Sequence, residues 1–271
     1  METIKTSYNS VLTIAGSDSG GCAGIQADIK SISACGGYAA SVITASTAQN
    51  TQGVIDIHPI PILHIEKQLE AVFSDISFDA IKIGMLHSCE VIETISQKLS
   101  EYNAKNIVID PVMIATSGDK LITDNAINCL KKLLPKASLI TPNSKEAETL
   151  IGHSINKHNS KASAKEIGKR FKTSVLLKGG HLGDLTKDMF DVLYEYSTDT
   201  IFVFKNPRIN TNNTHGTGCS LSSSIATFLS KGYDLENAVK QACQYINLAI
   251  DNGKNKILGK GNGPINHFGL K

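Results

Sequence analysis

Asn213-Thr214-His215-Gly216-Thr217-Gly218-Cys219-Ser220 is the stretch from which this chain is best read. Behind it Leu221, Ile225 and Phe228 recur at helical spacing, so a helix starts here. The first N–H groups of a helix have no partner within it and lie at the positive end of its macrodipole. Gly216 and Gly218 let the amides from Gly216 to Cys219, Thr217 included, come close to a ligand, and phosphate suits such a hole. A cysteine in the first turn is expected to have its thiol pKa lowered, which makes Cys219 a candidate base or nucleophile. His215 reads as a hydrogen bonder that shapes the loop, with ligand or base as the other reading.

Outward from the octet, short apolar runs alternate with helical patterns. Strands are expected at 11–15, 40–45, 80–83, 106–110, 138–141 and 175–178, and a hairpin at 189–194 and 201–204. Helices are expected near 24–35, 62–75, 90–102, 123–134, 144–151, 161–172, 218–231 and 235–251, the first with Ile25, Ile29 and Ile32 on one face. The alternation predicts an α/β fold, a mostly parallel sheet covered on both sides, with ligands beyond the carboxyl ends of the strands. The stretches 153–160 and 183–187 read as surface loops, too short for linkers, so residues 1–271 are read as one domain.

Composition excludes other classes. A net charge of +2 without long like-charge runs gives no footprint for nucleic acid. No run of about 18 apolar residues is present, so no membrane span is expected. The first ten residues lack the apolar core of a secretory signal. Six cysteines without a Cys-x-x-Cys pair do not read as a disulfide framework, so a reducing cytoplasm is expected. The histidines show no zinc-site spacing.

The residues after each strand carry the chemistry. Gly16 to Asp28 holds four glycines and can wrap a small polar ligand, or serve as a turn with Asp28 as a solvated acid. Gln49, just past the second strand, has the donor and acceptor to read an aminopyrimidine edge, or it caps the strand end. Asp110, at the end of the strand at 106–110, can face a metal or phosphate, or begin an Asp-Pro turn. Asn143 and Glu146 have capping-box spacing, and Glu146 can also stand near a hydrated Mg²⁺. Lys178, followed by two glycines, can reach a phosphate oxygen or snorkel at the surface.

Leu12–Asp18, Ala23–Asp28, Ala48–Thr51, Lys82–Leu86, Val108–Met113, Thr141–Asn143 with Glu146, Leu177–Gly180 and Asn213–Cys219 together resemble the hydroxymethylpyrimidine/phosphomethylpyrimidine kinases of thiamine biosynthesis, in the ribokinase-like superfamily. The likeness runs in order from about residue 11 to Pro264. It implies a Rossmann-type three-layer sandwich with a central, mostly parallel sheet and a small flap. It also implies ATP, Mg²⁺ and a homodimer; K⁺ is left open. By this resemblance Gln49 reads the aminopyrimidine, and Gly16, Ala23, Asp28, Met85 and Val112 line its pocket. Cys219 takes the place of the aspartate base of sugar kinases. Lys178, Asp110, Asn143, Glu146 and Thr211 map around the ATP phosphates and metal, with Asp110 and Glu146 on the metal. Ser19 and Cys22 depart from the family's usual proline and glycine.

The implied reaction is ATP-dependent phosphorylation of 4-amino-5-hydroxymethyl-2-methylpyrimidine, then of its monophosphate. Gly216, Gly218, Lys178 and Cys219 would act in catalysis. Two rivals stand beside it: a pyridoxal kinase, against which Gln49 argues, and a catalytically silent binding protein, against which the intact phosphate loop argues.

Overall fold

The structure, a computed structural model, describes residues 6–114, 121–181 and 187–269. The loop expected at 183–187 lies, but for Lys187, outside the described residues. The chain runs β1 (Ser10–Asp18), α1 (Gly24–Ala34), β2 (Tyr38–Asn50), β3 (Gly53–Pro59), α2 (Ile62–Phe73), β4 (Ala80–Ile83), α3 (Cys89–Glu101), β5 (Ile107–Ile109) and α4 (Asp124–Leu133). It continues with β6 (Leu139–Ile140), α5 (Ser144–Ile151), α6 (Ser160–Phe171), β7 (Ser174–Leu177), β8 (Asp188–Glu195), β9 (Thr200–Pro207), α7 (Thr217–Ser230) and α8 (Leu235–Gly253).

The nine strands form one sheet in the order β3-β2-β1-β4-β5-β6-β7-β8-β9. The pairs from β2 to β7 are parallel, while β3 and the β8–β9 hairpin are antiparallel at the two edges. The strand order reverses at β1, which pairs with both β2 and β4. Such a reversal opens a crevice at the carboxyl ends of the strands.

Alternation along each strand decides which side chains face which layer. Leu12, Ile14, Ile81, Ile83, Ile107, Ile109, Val175 and Leu177 join the core under α2 to α6. Val11, Ala80, Val108, Leu139 and Leu176 join the opposite core with α1, α7 and α8. The same parity sends Thr13, Lys82, Asp110, Thr141 and Lys178 toward the layer that holds α7. α7 buries Ser220, Ser222, Ser223, Ser224 and Ala226, small side chains that let it lie close to the sheet.

Three expectations need correction. β2 runs on to Asn50 and pairs with β3, a strand the pattern did not show, so Gln49 lies inside a paired ribbon and not past a strand end. β3 has no buried residue, hence no hydrophobic signal. Ile29 is exposed while Ile25 and Ile32 are buried, so the apolar face of α1 is narrower than expected. Cys89 and Cys129 form a disulfide with Cα atoms 5.4 Å apart, because α3 and α4 pack side by side; Cys22, Cys35, Cys219 and Cys243 are free. Among the described residues no helix is long and apolar enough to cross a membrane.

Candidate active site

A cavity of about 520 Å³ runs along the carboxyl ends of the strands. Strand order divides its wall. Gly16 and Asp18 from β1, Thr47 and Gln49 from β2, and Met85 after β4 lie toward one end, joined by Ala23 and Val112. Asp191 from β8, Asn206 from β9, and Ile246, Asn247 and Ile250 from α8 lie toward the other. Lys82, Asp110, Asn143, Glu146, Lys178, Gly218 and Cys219 lie between them.

At the first end the loop after β1 is tied down by one carboxylate. Asp18 accepts from the amides of Gly20, Cys22 and Ala23 at 2.8, 2.9 and 2.8 Å. Ser19 donates to the Gln49 carbonyl at 2.8 Å and accepts from its amide at 2.9 Å, which a proline there could not do. Cys22 is fully buried and does not reach the wall; burial pushes its thiol pKa up, helped by Asp18. The β2–β3 ladder shifts register between Ala48 and Gln49, a bulge that re-aims the glutamine. Its amide lies 3.1 Å from the Thr47 hydroxyl at Oε1 and 3.1 Å from His215 at Nε2. His215 is thus the loop-shaping hydrogen bonder that the sequence suggested.

Asp28 is not part of the wall. It is fully buried behind it, 2.8 Å from the Lys82 ammonium, and accepts also from Thr13 and Ser223 at 2.6 and 2.7 Å. Both readings of Asp28, solvated acid and pocket wall, give way to counter-ion. The reason is parity: Lys82 on β4 points at α1 and needs a buried partner. Lys82 itself lines the cavity and was not singled out from the sequence, where it looks like one more strand residue.

At the centre Lys178 lies 2.8 Å from Asp110 and 3.9 Å from Glu146, and Thr141 donates to Asp110 at 3.1 Å. Lys178 is therefore no snorkelling surface lysine. Burial opposes its charge, but Asp110 and Glu146 outweigh that and hold its pKa above the ordinary lysine range. Asn143 and Glu146 form the reciprocal capping box of α5, at 2.8 and 2.9 Å. Burial pushes the Glu146 carboxyl up to about 7, with Lys178 pulling down and Asp110 pushing up. Lys82 and Lys178 pair closely with Asp28 and Asp110, so Glu146 only shares Lys178, at 3.9 Å, and is left undercompensated. Two carboxylates supply hard oxygen donors, and an undercompensated buried acid is what a divalent cation would relieve, so Glu146 and Asp110 fit Mg²⁺.

α7 is capped by Gly216, whose φ of 83° is left-handed; a Cβ there would run into the Cys22 carbonyl. At Gly218 a Cβ would point toward Asp110 and Lys178, so its absence keeps that space open for a ligand. The Thr217 amide is not available as expected, since it donates to the Thr214 carbonyl at 3.2 Å. Among the described residues the amides of Gly218 and Cys219 make no backbone hydrogen bond and remain for an anion. Thr211 lines the cavity, but its hydroxyl is spent on the Lys254 carbonyl.

The Cys219 thiol is the clearest electrostatic correction. Burial pushes it up to about 11; Lys82 pulls it down, while Asp28 and Asp110 push it up further. The helix N-terminus does not win, because desolvation and two carboxylates oppose the thiolate. The sequence also gave no sign of the far wall. There Asp191 accepts from the Gly179 amide at 2.7 Å and fixes the segment after Lys178, and Ile209, Leu221, Ile246 and Ile250 offer an apolar slot. These residues come from β8, the segment after β9 and two different helices, with no shared motif.

The phosphomethylpyrimidine kinase family model matches residues 18–266. The chain is 48% identical over 261 residues to a thiamine biosynthesis bifunctional protein of Geobacter sulfurreducens, covering 96% of this chain and 52% of that one. It thus spans about half the length of the first curated relatives it matches. A solved phosphomethylpyrimidine kinase from Clostridium difficile 630 is 44% identical with a TM-score of 0.78, over 89% of this chain and 99% of that one. The ADP complex of a Bacillus subtilis pyridoxal kinase is 33% identical with a TM-score of 0.87, over 96% and 98%.

Proposed function

This chain belongs to the phosphomethylpyrimidine kinase family, and on that basis we propose that it moves the γ-phosphoryl group of ATP to the hydroxymethyl oxygen of 4-amino-5-hydroxymethyl-2-methylpyrimidine, then phosphorylates the monophosphate. Its fold is that of the ribokinase-like kinases. The observation that carries the proposal is one continuous cavity with Gln49 at one end and the Lys178–Asp110–Glu146 cluster under free helix-start amides at its centre.

Phosphoryl transfer needs alignment and charge stabilisation more than covalent chemistry. Gln49 would hold the aminopyrimidine edge and aim the hydroxymethyl group at Cys219. The amides of Gly218 and Cys219 would receive the transferring phosphoryl oxygens, and Lys178 would turn its ammonium from Asp110 to them. Mg²⁺, held by Glu146 and Asp110, would neutralise phosphate charge when bound. The thiolate of Cys219 would take the hydroxyl proton and become the thiol; with the group held up at about 11 that thiolate is a minor fraction at neutral pH. The apolar slot of Ile209, Leu221, Ile246 and Ile250 would take the adenine ring. Two of the four free cysteines, Cys219 and Cys243, line the cavity, and a cytoplasmic homodimer remains part of the proposal beside the Cys89–Cys129 disulfide.

The second reading is pyridoxal phosphorylation, favoured by the close structural likeness to the Bacillus subtilis enzyme. An ATP-turnover assay with the pyrimidine alcohol and with pyridoxal decides between them. Turnover of the pyrimidine is expected to dominate; preference for pyridoxal would overturn the proposal, and ADP formation from neither would leave a binding protein.

A further inference from the structure

A glutamine amide can sit in a site two ways round. A half-turn exchanges its oxygen and nitrogen, so a ligand edge that suits one orientation is refused by the other. The Thr47 hydroxyl does not choose between them. Its single proton is shared between the Ser17 carbonyl at 3.0 Å and the Gln49 oxygen at 3.1 Å; given to Gln49 it selects the oxygen, given to Ser17 it leaves the hydroxyl to accept from the amide nitrogen, so both orientations stay open.

His215 does choose. Its Nε2 lies 3.1 Å from Gln49 Nε2. The Gln49 nitrogen beside Nε2 can only donate, which leaves the ring proton to Nδ1, and the Asn262 carbonyl faces the same ring. A carbonyl only accepts, so Nδ1 carries the proton and Nε2 presents a lone pair. Only the NH₂ end of Gln49 satisfies that lone pair. The ring is buried, burial pushes its pKa down, and the charged group facing it is Asp18 at the end of β1. Its backbone is anchored as well: the His215 amide donates to the Gly263 carbonyl at 3.1 Å, and His215 bridges to Pro264. The segment at 262–264 therefore sets the ring, and the ring sets the amide.

We propose that His215 is a positioning residue that fixes the orientation of the Gln49 amide, and through it the preference for a heterocycle edge with a ring-nitrogen acceptor beside an exocyclic amine. With one N–H on His215 and one oxygen lone pair on Thr47, Gln49 keeps one donor and one acceptor for such an edge. The inference rests on the aminopyrimidine reading above.

The test is kcat/KM for the pyrimidine alcohol and for pyridoxal in the wild type, His215→Phe, Gln49→Met and the double variant. His215→Phe should lower the pyrimidine-to-pyridoxal ratio about tenfold, the worth of one hydrogen bond. In the Gln49→Met background it should leave the ratio unchanged. A ratio that stays level in His215→Phe, or that falls further in the double variant, overturns the inference alone. A wild type inactive on the pyrimidine overturns the functional reading, and the inference with it. Independently of any variant, ¹⁵N NMR of the wild-type ring should report the Nδ1–H tautomer; an Nε2–H tautomer refutes the assignment.

Discussion

Two lysine–aspartate pairs stand on the same face of one sheet, and they do different things. Lys82 and Asp28 are 2.8 Å apart with no exposed surface on either, and the carboxylate also takes the Thr13 and Ser223 hydroxyls. Lys178 and Asp110 are also 2.8 Å apart, but they line the cavity and share it with Glu146, whose carboxyl is held up at about 7. The first pair is saturated, and of the two only Lys82 reaches the cavity wall. The second is short of one positive charge and open to a ligand. A buried ion pair becomes a site when its own partners do not satisfy it, because the remaining desolvation cost is what a phosphate or a metal relieves.

The largest test sets the lysines against each other. Lys178→Met should lower kcat by about 10³-fold, the loss expected for a donor to the transferring group, with a modest change in Tm. Lys82→Met should instead strand Asp28 and cost about 3–5 kcal/mol of stability, read by urea unfolding. If Lys178→Met destabilises as much as Lys82→Met, the two pairs are alike and the contrast fails.

Cys219 feels both pairs, so it comes next. Cys219→Ser should lower kcat by about 10²-fold or more while ADP affinity stays near wild type. Because the wild-type thiol sits at about 11, kcat should rise with pH above neutrality and lose that rise in the serine variant. A wild-type profile that is flat above neutrality would assign Cys219 to alignment of the hydroxyl and not to proton transfer.

Glu146 gives a smaller effect with a definite sign. Its native pKa of about 7 lies above the ordinary glutamate value, so the folded protein holds this proton more tightly than the unfolded chain does. That stabilisation is full below the ordinary value and is lost as pH rises through about 7. Metal-free protein should lose about 2–4 °C of Tm between about pH 5 and pH 8 from this group. Mg²⁺ should restore it at the alkaline end, and Glu146→Gln should flatten the dependence. A Tm indifferent to Mg²⁺ at alkaline pH would remove Glu146 from the metal's neighbourhood.

The smallest pair of changes removes one hydroxyl from each aspartate. Thr13→Val should cost about 1.5 kcal/mol of stability and little rate, since Asp28 is structural. Thr141→Val should reduce kcat by no more than about tenfold and leave stability nearly unchanged, since Asp110 faces a cavity. The reverse pattern would interchange the roles of the two pairs.

Much of the site was legible from where strands end. Gly16, Gln49, Asp110, Asn143, Glu146, Lys178 and Cys219 all reach the cavity, because a parallel sheet delivers its carboxyl ends to one edge. Lys82 and the apolar slot were not legible. Lys82 sits in the middle of an apolar strand, and its role depends on a carboxylate 54 residues earlier. β3 was missed because an edge strand exposed on both faces has no alternation to show.

The sequence alone determined the element types, the helix that opens at Gly216, the capping of α5 by Asn143 and Glu146, and the strand ends that converge. These depend on neighbours three or four residues apart and on local periodicity. Only the tertiary structure decided how charges are shared. It turned Asp28 into a buried counter-ion, raised Cys219 against the pull of its own helix, joined Cys89 to Cys129, and gave the Gln49 amide a histidine 166 residues away. Desolvation and pairing depend on what surrounds a group in space, and in this fold those neighbours come from distant segments brought together on one face of the sheet.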